Sequence, residues 1–190
     1  MILSNTCWSL WNFRRNLIKS FDEMGYNISL SARSDDFVKK FSETSYELHW
    51  VKDQKWLPSG LNGLYYIVFT IFVILIHKPK YVCSFTHLSN LSAGIARKFL
   101  RFEYIANLSG LGRLYAADRK HNYLSSIVTA LVKYSLNSAK VIFVQNSDDK
   151  LWVEKLFSTQ NKDIRLLPGS GVDLSVFQMW NQDLVFERPT

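Results

Sequence analysis

The sequence predicts an α/β fold, a Rossmann-like parallel sheet with helices on both faces, and three observations carry that expectation. Short apolar runs alternate with amphipathic stretches along the chain, the pattern that builds sheets from strand–helix–strand units. The 190 residues are 47% hydrophobic and 21% charged, which excludes global disorder and suffices for one well-buried core but not two. No internal repeat, low-complexity tract or long like-charge run breaks the alternation.

The elements follow in order. Residues 1–4 read as a first strand. Residues 12–24 place Phe13, Leu17, Ile18 and Phe21 at helical spacing, with Gly25 as a stop. Residues 26–32 alternate as a strand, 35–42 are a short helix and 46–51 another strand. Residues 64–76 (LYYIVFTIFVILI) are uncharged and apolar, flanked by Pro58-Ser59-Gly60 and His77-Lys78-Pro79-Lys80. Thirteen residues fall short of the ~18–20 that span a bilayer, so the stretch reads as a core helix; the alternative is an interfacial helix touching anionic lipid. Residues 81–85 form a buried strand, 89–99 a helix with small residues on one side, and 102–107 a strand. A long helix over 122–138 carries Leu124, Ile127, Val128, Leu131 and Leu136. Strand 140–145, helix 147–157 opened by an Asn146 cap region, and strand 164–167 complete the pattern.

Twenty-three Lys and Arg against 16 Asp and Glu leave a net charge of +7, which favours anionic partners. Nucleic acid is the weakest of these, because the cations are spread along the chain. A dinucleotide is equally weak, because no G-x-G-x-x-G opens the first helix. Cys7 and Cys83 form no C-x-x-C and read as buried reduced thiols, not as a zinc site or disulfide. The first residues carry neither a basic n-region nor a long apolar h-region, so no signal peptide is expected.

Ligands of parallel sheets bind at the carboxyl ends of strands, which singles out four loops. Residues 5–14 lead into the first helix, where Ser9 or Asn12 could cap, a free helix N-terminus could meet an anion, and Trp8 or Trp11 could stack on a sugar or base. Residues 85–90 contain Thr86 and His87; the imidazole could bond a hydroxyl, act as a base, or satisfy local backbone. Residues 107–113 contain Ser109, Gly110, Gly112 and Arg113, where glycines admit a ligand and Arg113 could face a phosphate. Residues 167–173 form a glycine turn with Gly169, Gly171 and Asp173.

Together these loops carry a resemblance. Ser9-Leu10-Trp11-Asn12-Phe13-Arg14, Phe85-Thr86 before Ala96-Arg97, Asn107-Leu108-Ser109-Gly110-Leu111-Gly112, Val144-Gln145-Asn146 with Asp149, and Leu167-Pro168-Gly169-Ser170-Gly171-Val172-Asp173 with Phe177 occur in order over nearly the whole chain. In that order they resemble the N-terminal half of a bacterial family 4 glycosyltransferase of the GT-B type, used in capsule, O-antigen and lipid-linked glycan assembly. The resemblance implies an acceptor-binding domain over 1–177, with 178–190 as linker and truncated start of a donor-binding domain. It implies hexosyl or N-acetylhexosaminyl transfer with retention, from a nucleotide-sugar such as a UDP-sugar, to a saccharide or polyprenyl-diphosphate-linked acceptor. No metal or other cofactor is implied. The expected location is cytoplasmic, with peripheral contact at the inner face of the plasma membrane.

The family's second domain carries a Glu-x7-Glu pair, whereas Glu23, Glu43, Glu47, Glu103, Glu154 and Glu187 include no two eight apart. The expectation is therefore a half-enzyme inactive alone, with no catalytic residue of its own. Ser9, Trp11, Asn12, Thr86, His87, Ser109, Gly110, Gly112 and Arg113 are expected to line the cleft, and Gly169, Gly171 and Asp173 the interdomain turn. The alternative is a non-catalytic binding subunit that associates with a separate donor domain.

Overall fold

The computed structural model describes residues 1–110, 122–167 and 169–171. Seven strands alternate with helices: β1 (Ile2–Thr6), α1 (Cys7–Glu23), β2 (Ser29–Arg33), α2 (Val38–Ser42), β3 (Glu47–Val51), α3 (Ser59–His77), β4 (Tyr81–Phe85), α4 (His87–Phe99), β5 (Glu103–Leu108), α5 (Asn122–Leu136), β6 (Val141–Val144), α6 (Ser147–Leu156) and β7 (Asp163–Leu166). The strands form one sheet in the order β3-β2-β1-β4-β5-β6-β7, and every pair is parallel. Winding reverses between β1 and β4, which makes that junction the topological switch point.

Alternation along each strand divides the core in two. Leu3, Val82, Ala106, Ile142 and Val144 face α3, α4, α5 and α6, which supply Ile74, Ala93, Leu136 and Val153. Ile2, Leu30 and Ala32 face α1, which supplies Leu10 and Ile18. Gly94 makes the close approach of α4 to α5 possible. A Cβ there would lie 2.5 Å from the Ser135 carbonyl oxygen and 2.8 Å from its Cα.

Helices α1 and α3 each begin five residues earlier than the sequence predicts. Helix α1 starts at Cys7, not at 12, because Thr6 is its N-cap: Ser9 N–H donates to Thr6 Oγ1 at 3.2 Å. Gly25 then takes a positive φ of 82° just past the helix end, as a helix stop requires. Helix α3 starts at Ser59 and is 19 residues long, long and apolar enough to cross a membrane by length and composition. It is instead a layer of the domain. Asn62, Tyr66, Ile67, Thr70, Val73 and Ile74 are buried, and Tyr66 OH donates to the Ser4 carbonyl at 2.8 Å. The opposite face is neither core nor polar: Leu61, Leu64, Tyr65, Val68, Phe72, Leu75 and Ile76 are all exposed, each by more than 40%.

Candidate functional site at the carboxyl edge of the sheet

Because all strands are parallel, the ends of β1, β4, β5, β6 and β7 share one edge, and the first turns of α1, α4 and α6 open onto it. Thr86, His87, Ser109, Gly110, Gly169 and Gly171 follow strand ends at this edge. Gly112, Arg113 and Asp173 lie outside the described residues.

The first loop does not cap its helix as expected. Ser9 and Asn12 do not cap α1, since Thr6 does; Asn12 Nδ2 instead donates to its own helix at the Trp8 carbonyl, 2.9 Å away. The α1 N-terminus already holds an anion of this chain: Trp8 N–H donates to the Asp35 carboxylate at 2.8 Å. Ser9 is joined to Ser4 Oγ at 3.0 Å. Trp11 packs edge-on against Phe41, ring centres 5.3 Å apart. Cys7 is no nucleophile there, as burial pushes its thiol up to about 12.

The second loop is held under strain. Thr86 adopts φ 77° and ψ 159°, a region that residues with a Cβ avoid and that costs roughly 1–3 kcal/mol. Its hydroxyl meets Ser89 Oγ at 3.3 Å, and Ser89 Oγ in turn meets Tyr66 OH at 2.9 Å. That conformation starts α4 at His87, whose imidazole lies near the Gly110 backbone and senses the charge of Asp149 at the start of α6. Burial lowers its pKa below the ordinary histidine value, and Gly110 and Asp149 oppose that shift. The structure thus brings His87 of the second loop near Gly110 of the third and near the Asp149 carboxylate, a neighbour that the sequence does not reveal.

The third loop rests on a buried polar network. Asn90 Nδ2 donates to the Asn107 carbonyl at 3.1 Å, Tyr104 OH donates to the Asn90 carbonyl at 3.1 Å, and Ser109 Oγ donates to Asn107 Oδ1 at 3.1 Å. Ser109 therefore orients Asn107. Asn107 is 2% exposed, and its Nδ2 has no hydrogen-bond partner among the described residues.

Arg14 and Asn107 are functional candidates that sequence reasoning passes over. Arg14 is only 6% exposed and lies with its guanidinium 4.0 Å over the Phe85 ring. Its Nη1 donates to Ser170 Oγ in the glycine turn at 2.7 Å, and its Nε has no partner among the described residues. Burial pushes its pKa down to about 10, so it stays charged at neutral pH. Phe85 and Asn107 are register partners on adjacent strands. Two buried donors without acceptors therefore flank one aromatic ring beside the switch point. A sequence signal for Arg14 exists: it stands in the buried stripe Cys7, Leu10, Arg14, Ile18, where an apolar residue is expected.

The described residues with metal-ligand character, Glu47, His49 and His77, lie at the opposite edge of the sheet.

Solved structures share this architecture. The chain superposes on HepE of Anabaena, solved in complex with UDP, with TM-score 0.59 and 11% identity, covering 93% of this chain and 45% of that one. Sucrose-phosphate synthase of Thermosynechococcus elongatus gives TM-score 0.63 and 11% identity over 88% of this chain and 47% of that one. A shorter form of that synthase, of which 92% is covered, gives TM-score 0.60 and 10% identity. The fold is Rossmann-like and matches that of GT-B glycosyltransferase domains. The chain spans about half the length of the first two structures. No family model matches the chain, and no curated protein matches it.

Proposed function

We propose that this GT-B-like domain is the acceptor-binding half of a retaining, nucleotide-sugar-dependent glycosyltransferase of polysaccharide or lipid-linked oligosaccharide synthesis. Residues 1–177 form that half in this reading. The observation that carries it is the pair of orphaned buried donors, Arg14 Nε and Asn107 Nδ2, flanking Phe85 at the carboxyl edge. A buried cation without a carboxylate is costly unless an anion approaches it, and a diphosphate group supplies that anion. His87, near the Gly110 backbone and the charge of Asp149, lies at the same edge and is suited to hold or accept a proton from an acceptor hydroxyl. Two likenesses support the reading: HepE holds UDP, and the synthase is named for making sucrose phosphate.

Transfer in a two-walled cleft needs groups from both walls to position donor and acceptor. The chain alone is therefore expected to be inactive, with a second domain supplying the donor side. The acceptor in this reading is a saccharide or a polyprenyl-diphosphate-linked sugar. The exposed apolar face of α3, with Lys52 and Lys55 before the helix and Lys78 and Lys80 after it, supports peripheral contact with the cytoplasmic face of an anionic membrane.

The test combines the purified chain, a radiolabelled UDP-sugar and a lipid-diphosphate-linked acceptor. No product is expected until a nucleotide-sugar-binding domain is added, fused or separate. Robust turnover by the chain alone, or no product with any such domain while the acceptor also fails to bind, overturns the reading.

A further inference from the structure

At the edge of the sheet opposite that site, three side chains from two elements converge. Glu47 opens β3, the edge strand of the sheet, and His49 follows two positions later, so both point to one face of the strand. His77 is the last residue of α3, which returns to this edge before β4. Glu47 Oε1 lies 3.6 Å from His49 Nε2, and Glu47 Oε2 lies 3.9 Å from His77 Nδ1. The two imidazole ring centres are 4.2 Å apart, and one ligand atom from each of the three residues falls within 4.8 Å of the others.

From this convergence we propose that Glu47, His49 and His77 form a binding site for a divalent transition-metal cation of the zinc type, which clasps the edge strand β3 to the end of α3. Two imidazoles and a carboxylate are a donor set suited to zinc, and three protein ligands leave one position for water. In a tetrahedral site with bonds near 2.0–2.1 Å, donor atoms stand roughly 3.4 Å apart. The Glu47 carboxylate stands 3.6 Å from His49 through one oxygen and 3.9 Å from His77 through the other, and one ligand atom from each residue lies within 4.8 Å of the others, so side-chain rotations bring the donors to bonding distance.

Two further observations agree with a cation. His49 Nε2 is buried and has no hydrogen-bond partner among the described residues, so a donor atom of the cluster has its lone pair or proton unused. Glu47 and His77 also line an open cleft, which gives an ion a route in.

The experiment uses the full chain after dialysis against a chelator. Zn2+ is titrated by calorimetry, and Co2+ is titrated by its visible absorption as a probe of coordination. One equivalent is expected to bind, with four-coordinate Co2+ absorption and a Tm raised by Zn2+. His49→Ala and His77→Ala are expected to abolish the one-equivalent site, and Glu47→Gln to weaken it by roughly tenfold or more, at least the effect of losing an outer-shell partner. The four histidines of the chain allow a check without mutation: in the unaltered protein, Zn2+ should shift the imidazole resonances of His49 and His77 first. No saturable binding, retention of the site in the His49→Ala, His77→Ala double variant, or first shifts at His87 or His121 overturns the proposal. Because this readout is metal binding at the far edge, it stands or falls independently of sugar transfer.

Discussion

Arg14 Nη1 donates a 2.7 Å hydrogen bond to Ser170 Oγ, joining α1 to the glycine turn after β7 across 156 residues. That bond and the Phe85 ring hold a buried guanidinium with no carboxylate against it among the contacts described. Arg14→Met keeps an unbranched apolar stem, two atoms shorter, and removes the charge. The urea midpoint is expected to be unchanged or higher, since a buried charge is traded for an apolar group. Affinity for UDP or a polyprenyl-diphosphate analogue is expected to fall at least tenfold, because hydrogen bonds to charged groups contribute about 1.5–3 kcal/mol. Calorimetric titration of both proteins checks this; equal affinities would remove Arg14 from the site.

His87 gives a pH dependence whose sign follows from its lowered pKa. In the unfolded chain the imidazole titrates near 6.5, while in the fold it protonates only at lower pH. Its neutral form therefore favours the fold above about 6.5, and stability is lost as pH falls through the folded pKa. His49 is shifted the same way, so the two are separated by His87→Gln and His49→Gln. Each variant should flatten part of the drop in Tm between neutral and mildly acidic pH. An unchanged Tm–pH profile in His87→Gln, or an imidazole resonance of His87 titrating above 6.5, contradicts the placement.

Thr86 tests whether backbone strain positions the site. At φ 77° and ψ 159° glycine is favoured, so Thr86→Gly is expected to raise stability by roughly 1–2 kcal/mol, less the loss of the Thr86–Ser89 contact. The same change should loosen the start of α4 and weaken ligand binding near His87. A variant less stable than the parent shows that the strain is absent.

These three residues also mark what the sequence could convey. The alternation of strands and helices was legible, and so was the Asn146 cap, which accepts from Asp149 N–H at 2.7 Å. The start of α1 was misread because Cys7 and Trp8 carry no helix signal of their own, although Thr6-Cys7-Trp8-Ser9 places a threonine three residues before the N–H it caps. Arg14 announced itself only as a charge in an apolar stripe. The positive φ of Thr86 leaves no mark in its residue type. Nor could periodicity show which face of α3 is buried, because apolar residues surround that helix on all sides.

Gly94 tests the packing of the helical layer. A methyl group at that position would meet the Ser135 backbone, which cannot rotate away, at 2.5–2.8 Å. Gly94→Ala must push α4 and α5 apart and is expected to destabilise the domain by about 1–3 kcal/mol, visible as a lower urea midpoint. Helix propensity alone would act in the opposite direction, by somewhat under ~1 kcal/mol. A stabilised variant would therefore show that the two helices do not approach this closely.

The exposed face of α3 tests the membrane contact. Its side chains recur at 61, 64, 65, 68, 72, 75 and 76, one stripe of a helix whose other stripe is fixed to the sheet and α4. Laid on a bilayer, that stripe would bury while Lys52, Lys55, Lys78 and Lys80 at its two ends meet anionic headgroups, each contributing about 1 kcal/mol near the surface. Val68→Glu with Phe72→Glu changes only exposed positions, so the fold and its Tm should survive. Burying a large apolar side chain contributes about 1.5–3 kcal/mol, so the double change should reduce flotation with phosphatidylglycerol vesicles by roughly a hundredfold or more. Neutral vesicles and high salt should weaken binding of the parent protein as well, because the lysines no longer contribute. Equal flotation of parent and variant, or equal binding to neutral and anionic vesicles, would show that this face meets something other than an anionic bilayer.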